Sequence, residues 1–259
     1  MTSLQSVDAQ PAYLLHRREY RESSLLIELF SAEYGRLSLV AKGVRSAKSE
    51  KKGLLQPFQP LLVWWRGRSD LKTLSNVESS GHLPLLKATS LASGFYINEL
   101  MMKLTQRQDA NLVLFNQYHD CLLTLCNLKR EDEQYNAKLQ ASLRYFEMDL
   151  IQASGYGVSL DATADDGRAI DSQSRYLFYP EHGAVRSDSG HVVAEGMLHI
   201  SGQCLLALHQ RELLCDDPQL QHHLLKQAKR LNQLLLNRLL AGQVLHSRSL
   251  LSVATGEND

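Results

Sequence analysis

The sequence predicts a two-domain β + α protein: a five-stranded barrel over residues 1–80, then an all-helical domain over 81–259. Two observations predict it. Short apolar segments bounded by turn residues fill the first eighty positions. The hydrophobic spacing then changes to threes and fours, as on a helix. At 259 residues the chain is long enough for one large core or two smaller ones.

The strand segments are "AYLLHR" (12–17), "SLLIELF" (24–30), "GRLSLVAK" (35–42), "PLLVWWRG" (60–67) and "LKTLSNVE" (71–78). In the third, alternation puts Leu37, Leu39 and Ala41 on one face and Ser38 and Val40 on the other. "AEYGR" and "RGRSD" each place a glycine in a tight turn. Five short strands without a long helix suit a closed barrel, which leaves no exposed edge. An OB-type barrel fits best, and an SH3-like barrel is the alternative.

Helical spacing starts in "SGFYINELMMKLTQ" (93–106) and continues through 111–128 and 135–156, where Gly155 stands as a left-handed C-cap. A polar, loop-like stretch with a little strand character at 176–179 follows over 161–190. "GMLHISGQCLLALHQREL" (196–213) reads as a helix. The last long helix opens at "CDDPQ", with Asp216 or Asp217 as cap and Pro218 in the first turn. Its apolar stripe runs Leu220, Leu224, Ala228, Leu231, Leu235, Leu239.

Composition narrows the function. No apolar run approaches the ~20 residues of a membrane span, and "MTSLQSVDAQPAYLL" lacks the basic start and apolar block of a secretory signal. A cytoplasmic protein is expected. The four cysteines form no C-x-x-C pair and read as buried thiols. There is no H-E-x-x-H, G-x-S-x-G or Walker-type loop, and His222 and His223 are helix neighbours that point apart. Asp161, Asp165, Asp166 and Asp171 could hold Mg²⁺ for phosphodiester cleavage, but Asp and Gly enrichment is ordinary for turns. No enzyme, cofactor or small-molecule substrate is expected; a metal-dependent nuclease is the outlying alternative.

Charge points elsewhere. The chain carries 28 basic and 28 acidic residues, yet residues 1–80 hold 12 Lys/Arg against 8 Asp/Glu, a balance of +4. Residues 36–72 hold 9 against 2, a balance of +7. Such segregation suggests a polyanion partner.

Five blocks run in order across almost the whole chain: "YLLHRREYRESSLLIELFSAEYGRLSLVAKGVRSAKS", "LQPFQPLLVWWRGRSDLKTLSNVE", "SGFYINELMMKL", "LRYFEMDLIQASGYGVSLD" and "LHSRSLL". Together they resemble the RecO family of bacterial recombination mediators. The resemblance implies an N-terminal OB-fold and a helical C-terminal domain. It also implies a non-enzymatic, nucleoid-associated DNA repair protein that binds single-stranded and double-stranded DNA and anneals complementary strands. With RecR, such a protein hands DNA coated by single-strand-binding protein (SSB) to RecA. Many family members bind zinc through two C-x-x-C pairs. The matching positions here are Thr163 and Asp166, then Arg186 and Ser189, none of them a thiol, so no metal is expected.

A single-strand-binding barrel needs a cationic track for phosphates and flat side chains for bases. The expected track is Arg36, Lys42, Arg45, Lys48, Lys51, Lys52, Arg66, Arg68 and Lys72, with Trp64 and Trp65 as stacking candidates. Tyr34 and Phe58 are further aromatic candidates. About five phosphate contacts would give log K a slope of roughly −3.5 to −4.5 against log salt. For the acidic, aromatic-ended SSB tail implied by the resemblance, the expected pocket is Arg144, Tyr145 and Phe146, with Lys226, Lys229 and Arg230 adding charge. A general RNA- or single-strand-binding module is the other reading.

Overall fold

The computed structural model describes residues 6–46, 49, 51–187 and 196–255. These form two compact units, one running to Asn127 and taking back the residues from Leu245 onward, the other Leu128–Val244.

In the first unit, β1 (Ser6–Tyr20), β2 (Ser24–Ser31), β3 (Gly35–Ala41), β4 (Pro60–Arg66) and β5 (Leu71–Ser79) close a barrel in the order β1-β2-β3-β5-β4. The short helix α1 (Lys51–Leu54) lies between β3 and β4. All pairings are antiparallel except β3 with β5. This is the expected OB-type barrel. Parity decides what is inside: Ile27 and Leu29 of β2 and Leu37, Leu39 and Ala41 of β3 join Leu14, Val63, Trp65 and Val77 in one core. The β2–β3 turn needs a left-handed residue with no side chain. Gly35 has φ +63°, and a Cβ there would lie 2.0 Å from the Asp109 carbonyl oxygen.

Packing draws this unit larger than the span 1–80, because two helices tie into β1. They are α2 (Ala88–Leu104) and α3 (Leu112–Asn127). Asn98 of α2 donates to the Leu15 carbonyl at 2.9 Å and accepts from the Tyr118 hydroxyl of α3 at 2.6 Å. Tyr13 of β1 meets Tyr118 edge-on at 5.2 Å, and burial pushes its hydroxyl pKa up to about 12. The C-terminal helix α7 (Ser247–Thr255) packs on α2 in the same unit. Glu99 of α2 accepts from the amides of His246 and Ser247 and from the Ser247 hydroxyl.

The second unit contains α4 (Tyr135–Ile151), which runs into one π-helical turn where Gly155 turns left-handed at φ +80°, as the C-cap reading expects. It is not all-helical, which corrects that expectation. β6 (Arg175–Tyr179), β7 (Gly183–Arg186) and β8 (Leu198–Ser201) form an antiparallel sheet in the order β7-β6-β8. The strand character at 176–179 is β6, and its buried Tyr176, Leu177 and Phe178 anchor the polar region. The helix read over 196–213 is β8 followed by α5 (Gly202–His209), with Ser201 capping α5 by accepting from the Cys204 amide.

The last helix of this unit is α6 (Pro218–Leu240), capped by Asp217, with Leu224, Ala228, Leu231 and Leu235 buried. Among the described residues, no helix is long and apolar enough to cross a membrane.

Candidate nucleic-acid interface

The outward parity of β1, β2 and β3 builds a groove. His16, Arg18 and Tyr20 alternate along β1, with His16 opposite Glu28 and Arg18 opposite Leu26. Glu28 in turn stands opposite Ser38. With Asp70, Leu71, Met102 and Arg107 these residues line a cavity of about 560 Å³. The groove lies over the strand face and beside the β4–β5 turn, the surface that OB-folds present to oligonucleotides.

The carboxylate at the floor of this groove is neutralised by its neighbours. Glu28 accepts from Ser38 Oγ at 2.5 Å and pairs with Arg107 at 3.1 Å and Arg36 at 3.4 Å. Arg36 also donates to the Thr105 carbonyl at 2.8 Å. Burial lowers its guanidinium pKa, against the opposing pull of Glu28. Asp70 accepts from Gln108 Nε2 at 3.1 Å.

The expected cations divide. Lys42, Lys52, Arg66 and Arg68 are exposed. Arg45 is half-buried, pairs with Glu19 at 2.9 Å and donates to the Arg21 carbonyl. Lys51 donates to the Ser75 carbonyl at 2.9 Å. Lys48 lies outside the described residues. Two expectations are corrected. The Arg36 side chain is only 12% exposed and its guanidinium faces Glu28; Lys72 is buried, its Nζ on the Ser69 carbonyl at 3.2 Å.

The aromatic candidates divide likewise. Trp65 is 1% exposed in the barrel core, with Tyr34 edge-on at 5.1 Å, so it has no face for a base. A register shift separates it from half-buried Trp64. Phe58 is buried against Phe95.

The groove residues Arg18, Tyr20 and Arg107 are not among the sequence candidates. "HRREYRE" holds the first two, but its three arginines stand against Glu19 and Glu22 and leave a balance of only +1. Arg107 reaches the groove from the segment after α2, where the backbone bridges to Arg36.

In the second unit, the expected peptide pocket is corrected at two residues. Arg144 is buried and bonds Glu147 at 2.6 Å, while Asn232 of α6 donates to Glu147 and to the Arg144 carbonyl, each at 2.9 Å. Phe146 is 1% exposed. These side chains stitch α4 to α6 and offer nothing to a ligand. Tyr145 instead lines a separate cavity of about 500 Å³ with Met148, Leu208, His209 and Arg211. The Arg211 guanidinium lies 5.4 Å from the Tyr145 ring centre and bonds Asp149. Burial raises the Asp149 carboxyl pKa despite that contact. Lys226 and Arg230 are exposed on α6 and Lys229 is half-buried; none of the three lines this cavity.

The carboxylates of the polar region are occupied by their own turns. Asp161 accepts from Ser159 and Asp171 from Ser174, each at 2.6 Å. Asp166 accepts from Thr163 at 2.5 Å and from the Arg168 amide. Among the described residues no three His, Cys, Asp or Glu side chains gather as a metal site. The donor set at the zinc-pair positions does not fit zinc: Thr163 spends its hydroxyl on Asp166, and Arg186 is a cation. Ser189 lies outside the described residues.

Comparison with known proteins agrees with this architecture. The family model described as "Recombination protein O N terminal" matches residues 6–82, and "Recombination protein O C terminal" matches residues 86–248. The chain is similar to the DNA repair protein RecO of Aromatoleum aromaticum, 39% identical over 97% of this chain and 98% of the relative. It is 38% identical to that of Laribacter hongkongensis over 98% and 97%. Identity to that of Nitrosococcus oceani is 41% over 93% and 92%. The chain belongs to the RecO family of DNA repair and recombination proteins.

Proposed function

We propose that this protein is a non-enzymatic recombination mediator that binds single-stranded DNA, and duplex more weakly, without sequence preference. The observation that carries this reading is the groove across β1–β3, with exposed cations at the loops of the same barrel. Lys42 and Lys52 on the β3–β4 connection and Arg66 and Arg68 at the β4–β5 turn meet phosphates. Arg45 and Lys51 join them when their present partners exchange for phosphate oxygen. Contacts to phosphates carry affinity but no base information.

A cationic scaffold also explains strand annealing. Two complementary strands repel, and holding both on one positive surface lowers that Coulomb cost. Acting with RecR, the protein would pass SSB-coated strands to RecA. The acidic SSB tail would enter the second unit's cavity, with Arg211 meeting acidic groups and Tyr145, Met148 and Leu208 its aromatic end.

Anisotropy with labelled single and double strands across a salt series, plus a timed annealing assay with and without SSB, tests the reading. Salt-dependent single-strand binding and faster annealing are expected. Salt-independent binding, or annealing no faster than without protein, would overturn it. A labelled tail peptide should lose affinity for Arg211→Ala; equal binding would dismiss the cavity.

A further inference from the structure

The groove on β1–β3 is not a phosphate trough. Its lining balances Arg18 and Arg107 against Glu28 and Asp70, and the exposed cations Lys42, Lys52, Arg66 and Arg68 stand outside it. What it offers is flat and apolar: Tyr20, Leu26, Leu71 and Met102. Leu71 is 40% exposed, which an isolated barrel gains nothing from.

We propose that Tyr20 is the base-stacking platform of this protein, so that an unpaired nucleobase enters the groove while its phosphates lie on the flanking cations. The inference rests on the DNA-binding reading above and assigns it a base subsite. Tyr20 ends β1 on the outward parity, in line with Arg18 and His16. The Arg21 guanidinium sits 5.2 Å from its ring centre. Tyr20 itself lines the groove, and the Arg21 cation stacked on the ring limits its freedom of rotation. A stacked base gains dispersion and burial from a ring whose freedom is already lost.

The same geometry explains why such a site would not read sequence. The acceptors at its floor are engaged: Glu28 by Ser38, Arg36 and Arg107, and Asp70 by Gln108. Stacking needs only a π-face, which every base has. A duplex keeps its bases paired and stacked inside, so it gains the phosphate contacts and forgoes the groove. Preference for single strands then originates at Tyr20 rather than in the basic loops.

A protein–ligand cycle with the full chain tests this. Affinities of wild type, Tyr20→Ala and Tyr20→Phe are measured for an ordinary single-stranded oligonucleotide, an abasic strand of equal length and a duplex. Tyr20→Ala should weaken the ordinary strand by roughly 5- to 100-fold. It should leave the abasic strand, the duplex and the salt slope unchanged, and Tyr20→Phe should restore binding. Equal losses on ordinary and abasic strands, or no loss on either, would overturn the assignment. Wild-type protein that binds none of the three would instead refute the DNA-binding reading on which it rests.

Discussion

Replacing Glu28 by Gln should destabilise the first unit far more than a surface charge change. The Glu28 side chain is 9% exposed and accepts from Ser38, Arg107 and Arg36. Removing its charge leaves the Arg36 guanidinium, 12% exposed, without a counter-ion. Breaking a buried pair costs about 3–5 kcal/mol. Two features place this case at the lower end, about 3 kcal/mol. Arg107 is 54% exposed and can rehydrate, and Arg36 keeps the Thr105 carbonyl at 2.8 Å. Removing both charges with Glu28→Gln and Arg36→Met should recover part of the loss, because no isolated charge is then buried. Urea unfolding of the single and double variants at neutral pH measures the cycle. A loss below about 1 kcal/mol for Glu28→Gln, the range of an exposed pair, would refute the reasoning. Arg36→Met should also leave the salt slope of DNA binding at its wild-type value, since that guanidinium is spent inside the protein.

The two tryptophans should behave as opposites. Trp65→Ala, deleting a 1%-exposed core ring, should cost about 3–5 kcal/mol by denaturant unfolding; Trp64→Ala should cost less, and equal costs would show the core assignment is mistaken. The clamp on α7 should respond to acid. Burial raises the Glu99 pKa, but it is outweighed by hydrogen bonds from the Ser247 hydroxyl and the Ser247 and His246 amides and by Lys103, so the net direction is down. A carboxyl held below its unfolded pKa contributes stability above that unfolded value and loses it as pH falls through the folded one. The thermal midpoint should therefore fall from pH 7 toward pH 3 more steeply in wild type than in Glu99→Gln, and parallel profiles would contradict the clamp.

The barrel was legible because each strand is an alternating segment closed by a turn residue, and parity grouped on one face Leu37, Leu39 and Ala41, which the structure places in the core. The second sheet was not. β7 and β8 have four residues each, and β8 runs straight into the apolar start of α5, so its period is lost in the helix that follows. Charge was legible as a total and illegible by position. Arg36 lies on the outer face with Ser38, but what covers that face is Arg107 and the Thr105 carbonyl, some seventy residues on. Arg144 had a readable warning in "RYFE", where Glu147 stands three residues on, at the spacing of a helix ion pair. Tyr20 stands in no motif of the sequence, and only the groove it lines singles it out.

The most direct measurement is the salt dependence of single-strand affinity for the wild type against a variant with Lys42, Lys52, Arg66 and Arg68 all changed to Gln. These four are exposed on the barrel's loops and strand ends, and each single-strand phosphate contact contributes about −0.7 to the slope of log K on log salt. The slope should shrink by about 3 with the barrel still folded. An unchanged slope in a folded variant would contradict a phosphate track on this barrel.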